Sequence, residues 1–438
     1  MGAGHDHGSD QPAPVDQRTQ RVLTALVAAC AVVAAIAALA TWPASENENT
    51  FNLGADLRSG TVERVAECAD EQIPQGADDL VCIVVQVQIN DGSDAGQLFE
   101  LPPFFEPRTT FEVGDDLVVA RILGEDAPFR YAFSDRDRKG SLILLTLLFA
   151  TTVVLLGRLR GLSALAGLAS SIVVLGFYSL PALLEGQSAL IVACVSSALI
   201  ALVALYTSHG FNPMTTVAVI GTLLALALTV VLGVVFIDLA ELSGFATEES
   251  LFIEGVGDID VRGLLLAGLV IGALGALDDM TVTQASVVFE LRRANPRQSR
   301  RDLFAAGMRV GRDHVASTVN TLFLAYAGAA LPLLLLFSVG QLPAADVANS
   351  EIVATEIVRT LVGSIGLVAS VPLTTWLAVT VVGSGDAGPV VPAGQRPPVR
   401  RSGPTVRSAH TTPPDPDDTS TAAAPEPGRP RWRDGIDD

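Results

Sequence analysis

Eight apolar runs, most near the ~20 residues that carry a helix across a bilayer, occur at residues 22–42, 142–156, 162–183, 188–206, 215–237, 263–289, 316–339 and 361–382. So many long runs predict a multi-pass helical membrane protein and exclude an ordinary cytosolic enzyme. Composition agrees: 49% of residues are hydrophobic and only 17% are charged. No fixed short period or heptad seam is maintained, which sets aside collagen, coiled-coil and repeat-array folds. The formal charge of −19 argues against nucleic acid as a partner, because phosphate binding needs a basic surface.

Positive charge near helix ends resists translocation, so arginine placement predicts orientation. With the N-terminus inside, the inner loops hold Arg158 and Arg160, then Ser208-His209-Gly210, then Arg292, Arg293, Arg297, Arg300, Arg301, Arg309 and Arg312. The outer loops are acidic, with Glu185, then Asp238, Glu241, Glu248, Glu249, Glu254, Asp258 and Asp260, then Asp346, Glu351 and Glu356. Arg136, Arg138 and Lys139 break the pattern and are partly offset by Asp135 and Asp137. The expected location is the plasma membrane, with both termini cytoplasmic. The first run follows Arg18 and Arg21 and contains Ala38-Leu39-Ala40, an A-x-A cleavage pattern. Its length exceeds the apolar core of a secretory signal, so an uncleaved anchor is favoured.

This divides the chain into a disordered cytoplasmic N-terminus (1–21), a transmembrane anchor (22–42), an extracytoplasmic domain (44–140), a seven-helix membrane domain (141–383) and a disordered cytoplasmic tail (384–438) rich in Pro, Arg, Ser, Thr and Asp. His5 and His7 read as part of a solvated end rather than a metal site. The outer segment, 20 acidic residues against 8 basic, has a β pattern: Val85, Val87 and Ile89 alternate with Gln86 and Gln88. Further strands are expected at 60–66, 97–100, 116–123 and 129–133, giving a small five-stranded barrel or sandwich. Cys68 and Cys82 form an even pair in an oxidising compartment and are the disulfide candidate. Cys30 and Cys194 lie in apolar runs as packed side chains.

The helix at 263–293 is the most informative. Gly268, Gly272, Gly275, Asp279, Thr283, Ser286 and Glu290 recur every three or four residues and share one face. Gly268 and Gly272 form a GxxxG suited to close helix packing, extended by Gly275. Asp278 and Asp279 follow, roughly 22–24 Å along the helix from Gly263. An ionisable group that deep should face water or a partner, and two adjacent carboxylates suit a proton or cation that comes and goes. The alternative is that the span ends earlier and both lie in water at the inner headgroups. In the next helix Asp313, Ser317, Asn320, Leu324 and Ala327 share a face, and Asn320 offers donors and an acceptor to a carboxylate. Asn320 serves equally well as packing glue. His209-Gly210-Phe211-Asn212-Pro213 reads as a loop ending in an Asn cap with Pro at the first helical position.

The chain has no phosphate-binding G-x-x-x-x-G-K-[ST] and no H-E-x-x-H. No enzymatic activity, cofactor or bound metal is expected.

The stretch Gly272-Ala273-Leu274-Gly275-Ala276-Leu277-Asp278-Asp279-Met280-Thr281-Val282-Thr283-Gln284-Ala285-Ser286 resembles YibE/F-like membrane proteins. So do Glu290 to Pro296, Gly311-Arg312-Asp313-His314 and Asn320-Thr321-Leu322-Phe323-Leu324-Ala325-Tyr326-Ala327-Gly328. The resemblance extends more weakly over the outer domain and spans two to seven, and leaves out the terminal extensions. It implies a multi-pass bacterial membrane protein without a defined substrate. One acidic residue is usual where Asp278-Asp279 stand, which leaves open which of the two matters.

Two functional expectations follow. The first is a secondary transporter or permease for an ion or small solute, with Asp278, Asp279, Thr283, Ser286, Asn320 and Asp313 along a polar path between helices six and seven. The alternative is a non-transporting membrane scaffold whose outer β domain binds a protein partner.

Overall fold

The computed structural model describes residues 15–43, 56–68, 81–106, 111–122, 129–247, 250–253 and 259–382. The tail expected at 384–438 and most of the N-terminal extension lie outside these residues, as do Glu248, Glu249, Glu254 and Asp258.

Helix α1 (Gln17–Ala40) starts inside the stretch expected to be disordered. Six antiparallel strands follow: β1 (Leu57–Glu67), β2 (Val81–Ile89), β3 (Leu98–Glu100), β4 (Phe104–Glu106), β5 (Asp116–Arg121) and β6 (Tyr131–Arg136). Their order is β3-β2-β1-β5-β6, with β4 pairing further along β2. The sixth strand, β4, is only three residues long and escaped the alternation test. The alternation in β2 works as expected, since Ile83, Val85, Val87 and Ile89 are buried together with Val62, Leu101, Phe111, Leu117, Val119 and Tyr131.

A disulfide joins Cys68 and Cys82, whose Cα atoms lie 5.3 Å apart, and it ties the end of β1 to the start of β2. The sequence separation is 14, a loop whose closure restricts the unfolded chain by about 3 kcal/mol. Replacing both cysteines with Ser should therefore sensitise the sheet to limited proteolysis in urea, at a midpoint shifted by about that free energy, while the helices stay resistant.

Asp94, at 5% exposure, accepts a hydrogen bond from the Tyr131 hydroxyl at 2.8 Å and pairs with Arg130 at 3.1 Å. Burial first, then the Asp94 carboxylate, raises the Tyr131 phenol above its ordinary value of 10.0. Its contribution to stability is intact below the unfolded value and is lost as pH rises through the raised one. The late-titrating part of the tyrosinate absorbance should therefore fall by one tyrosine in Tyr131→Phe.

The remaining chain is helical: α2 (Lys139–Val174), a π turn (Leu175–Ser179), α3 (Leu180–Leu184), α4 (Ala189–His209), α5 (Pro213–Leu239), α6 (Val261–Ala294), α7 (Arg300–Ala329), α8 (Leu331–Val339), α9 (Ala344–Asn349) and α10 (Glu351–Val381). Among the described residues, six helical stretches are long and apolar enough to cross a membrane, or seven if α7 and α8 count as one bent span. The eight expected runs correspond to these stretches with 142–156 and 162–183 counted together as Lys139–Leu184, 46 residues. Its break is at Arg158, with φ 51° and ψ −127°. The chain turns sharply there, since a Cβ on Gly161 would overlap the carbonyl of Val153, which a straight helix would hold roughly 12 Å away. The run at 316–339 also is not straight. It bends by 58° between α7 and α8, where Pro332 in the first turn of α8 has no N–H to continue the ladder.

Local signals account for several ends. Asn212 caps α5 by accepting from the Thr215 N–H at 2.9 Å, with Pro213 at the first position, as the sequence predicts. Beyond α5 the Glu351 carboxylate accepts hydrogen bonds from the N–H groups of Ser243 and Gly244, at 2.6 and 2.8 Å, and from the Ser243 hydroxyl. Gly244 sits at φ +86°, a conformation in which a side chain is strained.

Candidate functional site

Helices α5, α6 and α10 pack around a polar centre. Glycine lets α5 and α10 approach: a Cβ on Gly221 would overlap the Thr374 hydroxyl, and a Cβ on Gly366 would overlap that of Thr229. The contact is reciprocal. Each helix offers a glycine to the other's threonine, with the glycine and threonine eight residues apart in both.

The same turn of α5 that bears Gly221 presents Thr222 to α6, where its hydroxyl lies 2.6 Å from that of Thr281. Thr222 also neighbours the Asp278 carboxylate. The Asp278 Oδ1 atom is buried with no hydrogen-bond partner among the described residues, and so is the Thr374 hydroxyl. One turn further, Gln284 is buried at 1% exposure and donates to the Gly307 carbonyl at 2.9 Å and to the Thr375 hydroxyl at 2.6 Å. Gln284 thereby ties α6 to α7 and α10.

Depth matters to the chemistry. Asp278 is the eighteenth of the 34 residues of α6, so roughly 25 Å of helix extends to either side. A carboxylate facing lipid there would cost at least about 2.5 kcal/mol. Inside the helix cluster it meets hydroxyls on one side and leaves an oxygen free for a proton or a small cation. Among the described residues no group of three His, Cys, Asp or Glu side chains is placed to hold a metal.

The structure divides the residues singled out in the sequence. Asp278 is half-buried, with its Oδ1 atom turned into the polar centre. Asp279, one position on, is exposed, as are Asn320 and Asp313, while Thr283 and Ser286 are half-buried. Asp279 and Asn320, the expected lining residues, are thus exposed rather than enclosed in the polar centre. Gly268, Gly272 and Gly275 are exposed too, and among the described residues no helix backbone closes on them. A Cβ would meet Tyr326 Oη at 3.4 Å from Gly272, Arg359 Nη2 at 3.9 Å from Gly268, and nothing within 4 Å from Gly275. Periodicity grouped these residues on one face correctly but does not say which face meets neighbours. The inward face of α6 is mainly Leu269, Val270, Ala273, Leu277, Met280, Thr281, Gln284 and Ala285.

Thr222, Thr281, Gln284, Thr374 and the pair Gly221 and Gly366 were missed. A signal existed in the Gly-x7-Thr spacing shared by 221–229 and 366–374.

A family model described as YibE/F-like protein matches residues 145–384, more than half of the chain. The chain belongs to the YibE/F-like family. The YibE/F-like match takes in the whole polar centre and leaves α1 and the β sheet outside, so the expected weaker extension of the likeness over the outer domain is not part of it. No curated protein and no solved structure matches the chain. Of the two aspartates at the acidic position noted in the sequence, the structure turns Asp278 inward.

Proposed function

We propose that this YibE/F-like membrane protein is a secondary permease in which Asp278 takes up and releases a proton or small cation during transport. The observation that carries the reading is the buried Asp278 oxygen, which has no partner among the described residues, beside the Thr222–Thr281 hydroxyl pair. Buried polar atoms are nearly always satisfied, and an exception on a titratable group amid apolar helices favours a ligand that comes and goes. The role is non-enzymatic.

In this reading the protein lies in the plasma membrane with both termini cytoplasmic and the β domain outside. The support is the arginine-rich connection between α6 and α7 against the acidic Asp238, Glu241 and Asp260 at the other end.

The test is purified full-length protein in sealed vesicles carrying an internal pH dye, with proton, sodium and potassium gradients imposed in turn. Gradient-dependent flux above that of protein-free vesicles is expected. Vesicles as tight as the protein-free control under every gradient would sink the permease reading and favour a scaffold acting through the β domain.

A further inference from the structure

The connection from α6 to α7 carries charge that transport through Asp278 does not use. From Glu290 to Asp313 the chain has seven arginines and three acidic residues. Two arginines are engaged. Arg292 is buried and donates to the carbonyls of Pro296 and Gln298, at 3.1 and 2.8 Å, holding the connection in shape. Arg293 pairs with Glu290 at 2.9 Å.

The other five, Arg297, Arg300, Arg301, Arg309 and Arg312, are exposed, and none is ion-paired among the described residues. Of the nearby carboxylates, Asp302 is held by the Ser299 hydroxyl at 2.7 Å, Glu290 is taken by Arg293, and Asp313 is exposed. Arg301, Arg309 and Arg312 recur after eight and three residues, on one side of α7. The opposite side is anchored. Leu303, Ala306, Gly307 and Gly311 are buried, and a Cβ on Gly311 would stand 2.5 Å from Val371 Cγ1. The arginine side is therefore turned away from the helix cluster and held there.

Depth identifies the partner. With the midpoint of α6 at the bilayer midplane, Gln284 lies roughly 9 Å and Arg292 roughly 21 Å toward this end, on either side of a half-thickness of about 15 Å. Arg309 and Arg312 flank Gly311, which packs against Gln284, so they sit inside the headgroup boundary and must extend outward to it. Arg297, Arg300 and Arg301 lie beyond it. Guanidinium groups straddling the level of the lipid phosphates fit phosphate through paired N–H donors.

We propose that this surface binds the headgroups of anionic phospholipids. The partner is lipid rather than a soluble anion because the phosphate is already concentrated at that depth. The site is independent of whether Asp278 carries transport.

The test is association of spin-labelled phosphatidylglycerol and spin-labelled phosphatidylcholine with the full-length protein in phosphatidylcholine vesicles. The native chain should prefer the anionic label about tenfold. The variant Arg301→Gln, Arg309→Gln, Arg312→Gln should bring the ratio near unity with an unchanged melting temperature, since all three side chains are exposed. Changing Arg18 and Arg21 to Gln should leave the preference intact. A native ratio of one, an undiminished ratio in the triple variant, or displacement of the labelled lipid by inorganic phosphate would each overturn the proposal.

Discussion

Replacing Asp278 with Asn should abolish gradient-driven flux, whereas Asp279→Asn should leave most of it. Asn keeps the size but exchanges no proton and carries no charge for a cation. Asp279 has the same chemistry one residue away but points out of the helix cluster, so it has no access to the Thr222–Thr281 pair. A hydrophobic carbodiimide, which reacts with protonated carboxyls in apolar surroundings, should label the native chain and Asp279→Asn at residue 278 and leave Asp278→Asn unlabelled there. Asp278→Asn should melt no earlier than the native protein, because a neutral amide costs less to bury than a carboxylate. Equal flux in native protein and Asp278→Asn would remove this residue from the mechanism, and loss confined to Asp279→Asn would return the path to the outer face of α6.

The second large effect is on folding. Gly366→Ala puts a methyl group where the Thr229 hydroxyl already lies, and α5 and α10 must part to admit it. Overpacking of this kind costs about 1–3 kcal/mol. The shift disturbs the reciprocal Gly221–Thr374 contact as well, so the upper end is expected, and Gly366→Leu should not fold. The double variant Gly366→Ala, Thr229→Ala should recover most of the loss. The next Thr229 atom stands 3.4 Å from where the new methyl group would lie, an ordinary contact, and among the described residues the Thr229 hydroxyl bonds only to the Ala225 carbonyl in its own helix. Thermal unfolding in detergent, followed by the loss of the monodisperse species, measures all three. A Gly366→Ala variant as stable as the native chain would mean that the two helices are not in close contact.

What the sequence determined by itself was local. Long apolar runs placed the helices, the alternation from Val85 to Ile89 placed β2, and Asn212-Pro213 marked the start of α5, because each signal lies within one element and follows from backbone geometry. The break at Arg158 and the bend before Pro332 were less legible: hydropathy measures how apolar a run is, and the path of its backbone is a separate property. The tertiary structure decided the candidate site. Asp278 and Asp279 are chemically equivalent in the sequence and stand about 100° apart around α6, so only the placement of the neighbouring helices determines which carboxylate turns an oxygen inward. Those helices are brought against α6 by Gly221 meeting Thr374 and Gly366 meeting Thr229. Each of these contacts joins residues far apart in the chain, and helical periodicity gives the phase of a face without naming the helix it packs against.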